Sequence, residues 1–169
     1  MTNIYIVSHC VLNIGSKVKH VTNEDYEREE NSRKRFLEKI ISSGGQLIQL
    51  PCPEFLLLGA KRNGHARCQF DNPFFKQMSR DILKPYIMQI EEYIQNSSEY
   101  NICGIVGING SPSCGIDFSY DAYSPEGEAE ISQTKKPFSN QSKGVFMEIL
   151  EQMLNEKGIE IEFLAINSF

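Results

Sequence analysis

The hydrophobic pattern changes period several times along the chain. Residues 102–108 are continuously apolar, with Ile102, Ile105, Val106 and Ile108 separated only by cysteine and glycine. Ile4, Tyr5, Ile6 and Val7 nearly repeat that texture within residues 3–9. Runs without alternation predict strands covered on both faces, as in a parallel sheet. Residues 46–50 predict another strand, closed by Pro51. Near the end of the chain Ile159, Ile161 and Phe163 alternate with Glu160 and Glu162, which predicts an edge strand with one wet face.

Between these runs the period becomes helical. Residues 24–43 predict a helix, with Thr22 and Asp25 resembling a capping box, acids in the first turn and Gly44-Gly45 as the stop. Asn72-Pro73 opens a second helix, and Phe75, Met78, Ile82, Tyr86, Ile90 and Tyr93 give it one apolar face to about residue 97. Pro85 inside it predicts a kink or two abutting helices. Ser142 is positioned to cap a last helix, whose core face is Val145, Phe146, Ile149, Leu150, Met153 and Leu154 and whose stop is Gly158. Residues 55–70 give no clear period. Residues 116–141 form a polar stretch longer than the roughly 12–15 structureless residues a compact domain usually tolerates.

Strands and helices therefore alternate, β-α-β-α-β-α-β. This predicts one α/β domain over residues 1–169, with a four-stranded parallel sheet and right-handed crossovers. The two most apolar strands belong in the centre, so the expected order is 2-1-3-4 with a switch point between strands 1 and 3.

Composition narrows the function classes. The chain has 169 residues, 40% hydrophobic and 23% charged, with a net charge of −5. That balance disfavours a sequence-independent grip on nucleic acid. No apolar run reaches the roughly 18 residues of a membrane span, and no signal-peptide pattern opens the chain, so a cytoplasmic protein is expected. Five cysteines in a reducing compartment point to metal binding, catalysis or plain burial rather than disulfides.

Three of those cysteines recur at one kind of place. Cys10 closes the first predicted strand, Cys52 follows the second within Pro51-Cys52-Pro53-Glu54, and Cys114 follows the third within Ser111-Pro112-Ser113-Cys114-Gly115. In a parallel sheet all three reach the carboxyl rim, where open α/β sheets bind ligands. Any one of them alone reads as a small buried hydrophobe. Three together could hold zinc with an open position, or an iron–sulfur cluster with one iron lacking a protein ligand. Cys103 lies inside the third strand and reads as core, and Cys68 falls in the unassigned segment.

Ser8-His9-Cys10-Val11-Leu12-Asn13 and the two later cysteine motifs resemble those of the TudS-like thiouracil desulfidase family, in order and at suitable spacing. The resemblance implies a Rossmann-like three-layer domain in which Cys10, Cys52 and Cys114 ligate a 4Fe–4S cluster. It further implies non-redox desulfidation of a thiolated heterocycle, thiopyrimidine-like, at the iron without a protein ligand. The chain departs from the family at Asn13, where glycine is common, and over residues 55–62, where the family often carries a glycine-rich segment ending in Thr-Pro-Arg.

Polar neighbours complete the expected site. Glu54 could act as acid or base, or could accept backbone hydrogen bonds in its turn. Ser111 could orient water or substrate, or close the turn after Asn109-Gly110. Tyr120 and Tyr123, with Phe118, could stack on a planar substrate if residues 116–123 fold over the cysteines as a lid or pocket wall. His9 reads as structural, while Lys61, Arg62 and His65 read as a solvated loop or as contacts for an anionic substrate. The expected enzyme is a 4Fe–4S-dependent desulfidase acting on a small thiolated compound, its sulfide going to water or to a second acceptor. The alternative is a non-catalytic carrier or sensor for a cluster or sulfide. A nucleotide binder is disfavoured, because no glycine-rich phosphate loop follows the first strand.

Overall fold

The computed structural model describes residues 1–18, 23–121 and 138–169. Strand β1 (Thr2–Val7) leads into a short helix, α1 (His9–Leu12), a single 3-10 turn (Ile14–Ser16) and then helix α2 (Asn23–Ser42). Strand β2 (Gln46–Gln49) is followed by α3 (Pro53–Leu58), α4 (Arg67–Phe70) and the long α5 (Pro73–Gln95). Strand β3 (Tyr100–Gly107) precedes an antiparallel pair, β4 (Ser119–Asp121) and β5 (Phe138–Asn140). Helix α6 (Val145–Asn155) and strand β6 (Phe163–Ala165) close the fold.

The main sheet has the order β2-β1-β3-β6 with every pair parallel. This is the 2-1-3-4 order read from the sequence, in a Rossmann-like three-layer arrangement. Side-chain alternation explains why the central strands carry no polar face. Ile6 and Ile105 enter the core beneath α5 and α6, while their neighbours Val7 and Val106 enter the core beneath α2 with Phe36 and Ile40. Successive residues of a strand point to opposite sides, so a strand covered twice must be apolar throughout.

Several boundaries differ from the sequence reading. The strand expected over residues 3–9 stops at Val7, and His9 and Cys10 belong to α1. His9 and Cys10 are therefore successive residues of a helical turn rather than of a strand end. Helix α5 runs through Pro85 as one element. Pro85 and Asp81 both lie on its exposed face, so water can satisfy the carbonyl that proline leaves without a donor. Its fully buried stripe is Phe75, Ser79, Leu83, Ile87 and Ile90, with Met78, Ile82 and Tyr86 flanking the core.

Ser142 does not cap α6; Gly144 holds that position, and the buried Ser142 hydroxyl lacks a hydrogen-bond partner. The alternating residues 159–162 precede the ladder, and only Phe163, Leu164 and Ala165 pair with β3. Part of the polar stretch 116–141 is the antiparallel pair β4–β5. Thr22 and Tyr123 lie outside the described residues.

Candidate active site

Each thiol is presented by a different local device at the carboxyl ends of β1, β2 and β3. Cys10 lies in the only turn of α1, just beyond β1. Its sulfur is 3.6 Å from Ser16 Oγ, and that hydroxyl donates to Asn13 O at 2.9 Å. Cys52 occupies the N-cap of α3, where its sulfur accepts the Phe55 amide at 3.4 Å and Pro53 starts the helix. Proline suits that position because the first-turn amide it lacks would be unpaired in any case.

Cys114 sits in a turn closed by its own amide donating to Ser111 Oγ at 3.0 Å. The start of α6 clasps that turn from behind. Val145 N donates to Pro112 O at 3.0 Å, and Met147 N donates to Ser113 O at 3.2 Å. Only glycine permits so close an approach at position 144, since a Cβ there would lie 2.3 Å from the Ser113 carbonyl carbon.

The three thiols act on one another. Cys10 and Cys52 share a side-chain hydrogen bond, which with burial and the Cys114 charge pushes the Cys10 thiol far above its ordinary value. The same bond, aided by the Phe55 amide and the Arg62 charge, brings Cys52 down to about 7 against the opposing effect of burial. Burial foremost, then the Cys52 charge, holds Cys114 far above the ordinary thiol range. One readily ionised thiol beside two protonated ones is the expected outcome when like charges crowd a poorly solvated space. None of the five cysteines is in a disulfide.

A charged network backs this cluster. Glu54 is 6% exposed, and its Oε1 accepts from Ser113 Oγ at 2.5 Å. Its Oε2 lies 3.4 Å from Arg62 Nε. Ser113 Oγ is 3.6 Å from Cys114 Sγ and 3.3 Å from Ser111 Oγ. Ser113 spends its hydrogen on the carboxylate, so the Ser111 hydroxyl is the donor between the two serines. Glu54 thus accepts from a serine and an arginine side chain, and Ser111 both closes its turn and joins the network.

Sequence reasoning missed Ser113 and misread Arg62. The signal for Ser113 was present, because Ser111-Pro112-Ser113-Cys114 places two hydroxyls around one proline beside a thiol. Arg62 was read as part of a solvated loop, yet its side chain is 4% exposed. Lys61 is exposed, and His65 pairs with Asn63 O at 2.8 Å beside the Phe70 ring. Cys103 is half-buried near Asn101 Nδ2 at 3.2 Å rather than part of the core. The Cys68 amide donates to Asp121 Oδ1 at 3.1 Å, which ties α4 to β4.

The described part of the expected lid folds against the third cysteine turn. Gly110 N donates to Phe118 O at 3.0 Å, and Tyr120 N donates to Gly110 O at 3.1 Å. The Tyr120 ring rests on Gly110 and meets Phe118 edge-on at 5.6 Å. At Gly110, with φ of 84°, a Cβ would sit 2.6 Å from that ring.

Among the described residues, no three His, Cys, Asp or Glu side chains converge as a set for a single metal ion. Thiolates on one zinc would each lie about 2.3 Å from it. A cluster makes a different demand, because each thiolate binds its own iron and the sulfurs stay further apart. Cys10, Cys52 and Cys114, three thiols outside disulfides on separate turns, match such a cluster in number and type of donor.

Comparison with known proteins bears on the family of this chain. No solved structure matches it. A protein of Methanocaldococcus jannaschii, itself described as uncharacterised, is 31% identical over 113 residues, 67% of each chain. The family model for 2-thiouracil desulfurase matches residues 5–161, which takes in β1 through the approach to β6 and all three cysteine turns. The chain belongs to the 2-thiouracil desulfurase family.

Proposed function

We propose that the protein is an iron–sulfur-dependent desulfidase acting on a small thiolated heterocycle of the thiopyrimidine class. The observation that carries this reading is the meeting of three thiols with the hydrogen-bonded chain Ser111–Ser113–Glu54 at one rim of the sheet. Cys10, Cys52 and Cys114 would hold a 4Fe–4S cluster, which when bound supplies a Lewis acid at the iron without a protein thiolate.

The protein's own groups handle water and protons. Water attacks the carbon that bears sulfur, the C–S bond breaks, and the products are the oxo heterocycle and hydrogen sulfide. No electrons are gained or lost. Ser111 Oγ, half-buried at the outer end of the chain, orients the water. A proton taken from it passes through Ser113 Oγ to Glu54 Oε1, along contacts of 3.3 and 2.5 Å. Such a positioned base typically contributes about 10²–10⁴ in rate. Burial of Glu54 keeps competing water away from the carboxylate.

The test is anaerobic reconstitution with iron and sulfide, iron counting, and then incubation with 2-thiouracil. About four irons per chain and equal yields of uracil and sulfide are expected. Iron binding without product would leave the second reading, a cluster or sulfide carrier. That reading is favoured by the exposed run Phe55, Leu56, Leu57 and Leu58 beside Cys52, a surface suited to docking.

A further inference from the structure

Arg62 is a buried cation to which the proposed reaction gives no part. Its guanidinium makes three contacts, two to α3 and its C-cap and one to the turn that follows α1. Nε lies 3.4 Å from Glu54 Oε2, Nη1 donates to Gly59 O at 3.3 Å, and Nη2 donates to Ser16 O at 2.5 Å. Two of those partners belong to the thiol turns. Ser16 contacts the Cys10 sulfur through its hydroxyl, and Glu54 stands two residues beyond Cys52. Through Glu54 Oε1 and Ser113 the same chain of contacts reaches Cys114. A single side chain thereby links all three turns, whose cysteines are 42 and 62 residues apart in sequence (52 − 10 and 114 − 52).

We propose that Arg62 is the positioning residue of the thiol site. It holds the Glu54 carboxylate facing Ser113 and locks the Cys10 turn against the Cys52 turn. The requirement is for a planar fork rather than for positive charge alone. A guanidinium donates in fixed directions to a carboxylate and two carbonyls together, whereas an ammonium is a point charge that cannot span the same set. The left-handed Gly59, with φ of 74°, turns the chain after α3 so that Arg62 doubles back over that helix. Its guanidinium passes 6.0 Å from the Phe55 ring on the way.

The inference rests on the desulfidase reading for the task of Glu54, but the lock between turns does not need it, and the experiment separates the two. R62A leaves a buried carboxylate unpaired and risks unfolding. R62K and the double variant R62A/E54Q therefore carry the test, each reconstituted anaerobically beside wild type and E54Q. In R62K, turnover of 2-thiouracil per bound cluster is expected to fall about tenfold or more with KM within about twofold, as for a lost transition-state arrangement. R62A/E54Q is expected to turn over within about twofold of E54Q, because Arg62 acts through Glu54.

The second readout is the rate at which an iron chelator strips the reconstituted protein, expected to be about fivefold or more faster in R62K. Turnover per cluster in R62K within twofold of wild type would overturn the proposal, as would a further tenfold loss in the double variant. If wild type holds iron and releases no uracil, the functional reading fails. Stripping alone then decides the lock, with a rate in R62K within twofold of wild type refuting it.

Discussion

At the carboxyl end of the main sheet, Cys10, Cys52 and Cys114 stand on three separate turns. They act on one another, and a buried Glu54–Arg62 pair backs them. Inside β3, Cys103 also has polar neighbours, Asn101 Nδ2 at 3.2 Å and the hydroxyl of Tyr5. Both regions hold thiols that are neither disulfide-bonded nor fully solvent-exposed. They differ in how their neighbours arrive. At the rim, parallel topology delivers three chain segments to one place, and each ends its strand in a turn that can aim a side chain. In β3 the neighbours come from the ladder itself, whose register is set by pairing, so nothing converges on the sulfur. What turns a cysteine into part of a site here is the meeting of strand ends.

Removing thiols tests that contrast most severely. Cys10→Ala, Cys52→Ala and Cys114→Ala are each expected to abolish stable iron retention after anaerobic reconstitution, measured as iron per chain. Cys68→Ala and Cys103→Ala are expected to retain it. Loss of iron in Cys68→Ala would mean a fourth thiolate at the site and no iron open to substrate.

The next effect comes from the backbone that carries Cys114. Gly144→Ala would place a Cβ 2.3 Å from a backbone carbon and 2.4 Å from a backbone oxygen of Ser113. Neither can move aside by changing a rotamer. We expect a loss of about 1–3 kcal/mol in unfolding free energy, as for overpacked sites. Faster iron loss is also expected, because α6 would be pushed off the Cys114 turn. Chemical denaturation together with chelator stripping measures both. Stripping unchanged in a destabilised variant would uncouple α6 from the site.

The fold was largely legible in the sequence, and the site partly so. Continuous apolar runs at residues 4–7 and 102–108 revealed the doubly covered strands, since no polar residue can face a covering helix without cost. The three cysteine turns were legible because proline and glycine punctuate strand ends. Arg62 was not, because burial of a charge depends on partners from Ser16 and Glu54, which sequence distance conceals. Ser113 was masked by the same logic: its partner Glu54 is 59 residues away. The start of α6 was misplaced because its first turn is satisfied by carbonyls of the Cys114 turn rather than by the hydroxyl of Ser142.

A third, smaller effect distinguishes the rim thiols from one another. Without metal, Cys52 is lowered to about 7 chiefly by its bond from Cys10, whereas Cys10 and Cys114 are raised. Alkylation of the metal-free protein is therefore expected to modify Cys52 first, with a rate that rises through a midpoint near pH 7. The linkage has a definite sign. A thiol depressed in the folded state adds stability above its unfolded value, about 8.5, and loses it as pH falls toward 7. The raised thiols act oppositely: their contribution is complete below that unfolded value and declines as pH climbs above it. Stability of the metal-free protein should thus rise from pH 7 toward the ordinary thiol range and decline beyond it. Peptide mapping of the alkylated cysteine checks the assignment, and equal labelling of Cys10 and Cys52 would contradict it.

The smallest effect belongs to Cys103. Register explains why its neighbourhood is tolerant: Ile4 faces Ile102 and Tyr5 faces Gly104, so Cys103 is the extra residue of a bulge with no partner across the ladder. Its sulfur is half-buried, and removing it leaves Tyr5 and Asn101 beside solvent rather than around a closed cavity. Cys103→Ala is therefore expected to cost less than about 1 kcal/mol, well below the usual penalty for emptying a packed core. A more specific change is expected at Tyr5, whose hydroxyl is raised above its ordinary value by burial first and by Cys103 second. Loss of the thiol removes the second cause and leaves the first. Ultraviolet titration should show the Tyr5 ionisation moving down in Cys103→Ala and also in Cys103→Ser, because the thiol's charge, which serine lacks, comes ahead of its hydrogen bond among the causes. Iron per chain after reconstitution should match wild type in both variants. An iron loss in Cys103→Ala comparable to that in Cys114→Ala would erase the distinction between the two regions, because it would make a ladder-bound thiol as necessary as one carried on a strand-end turn.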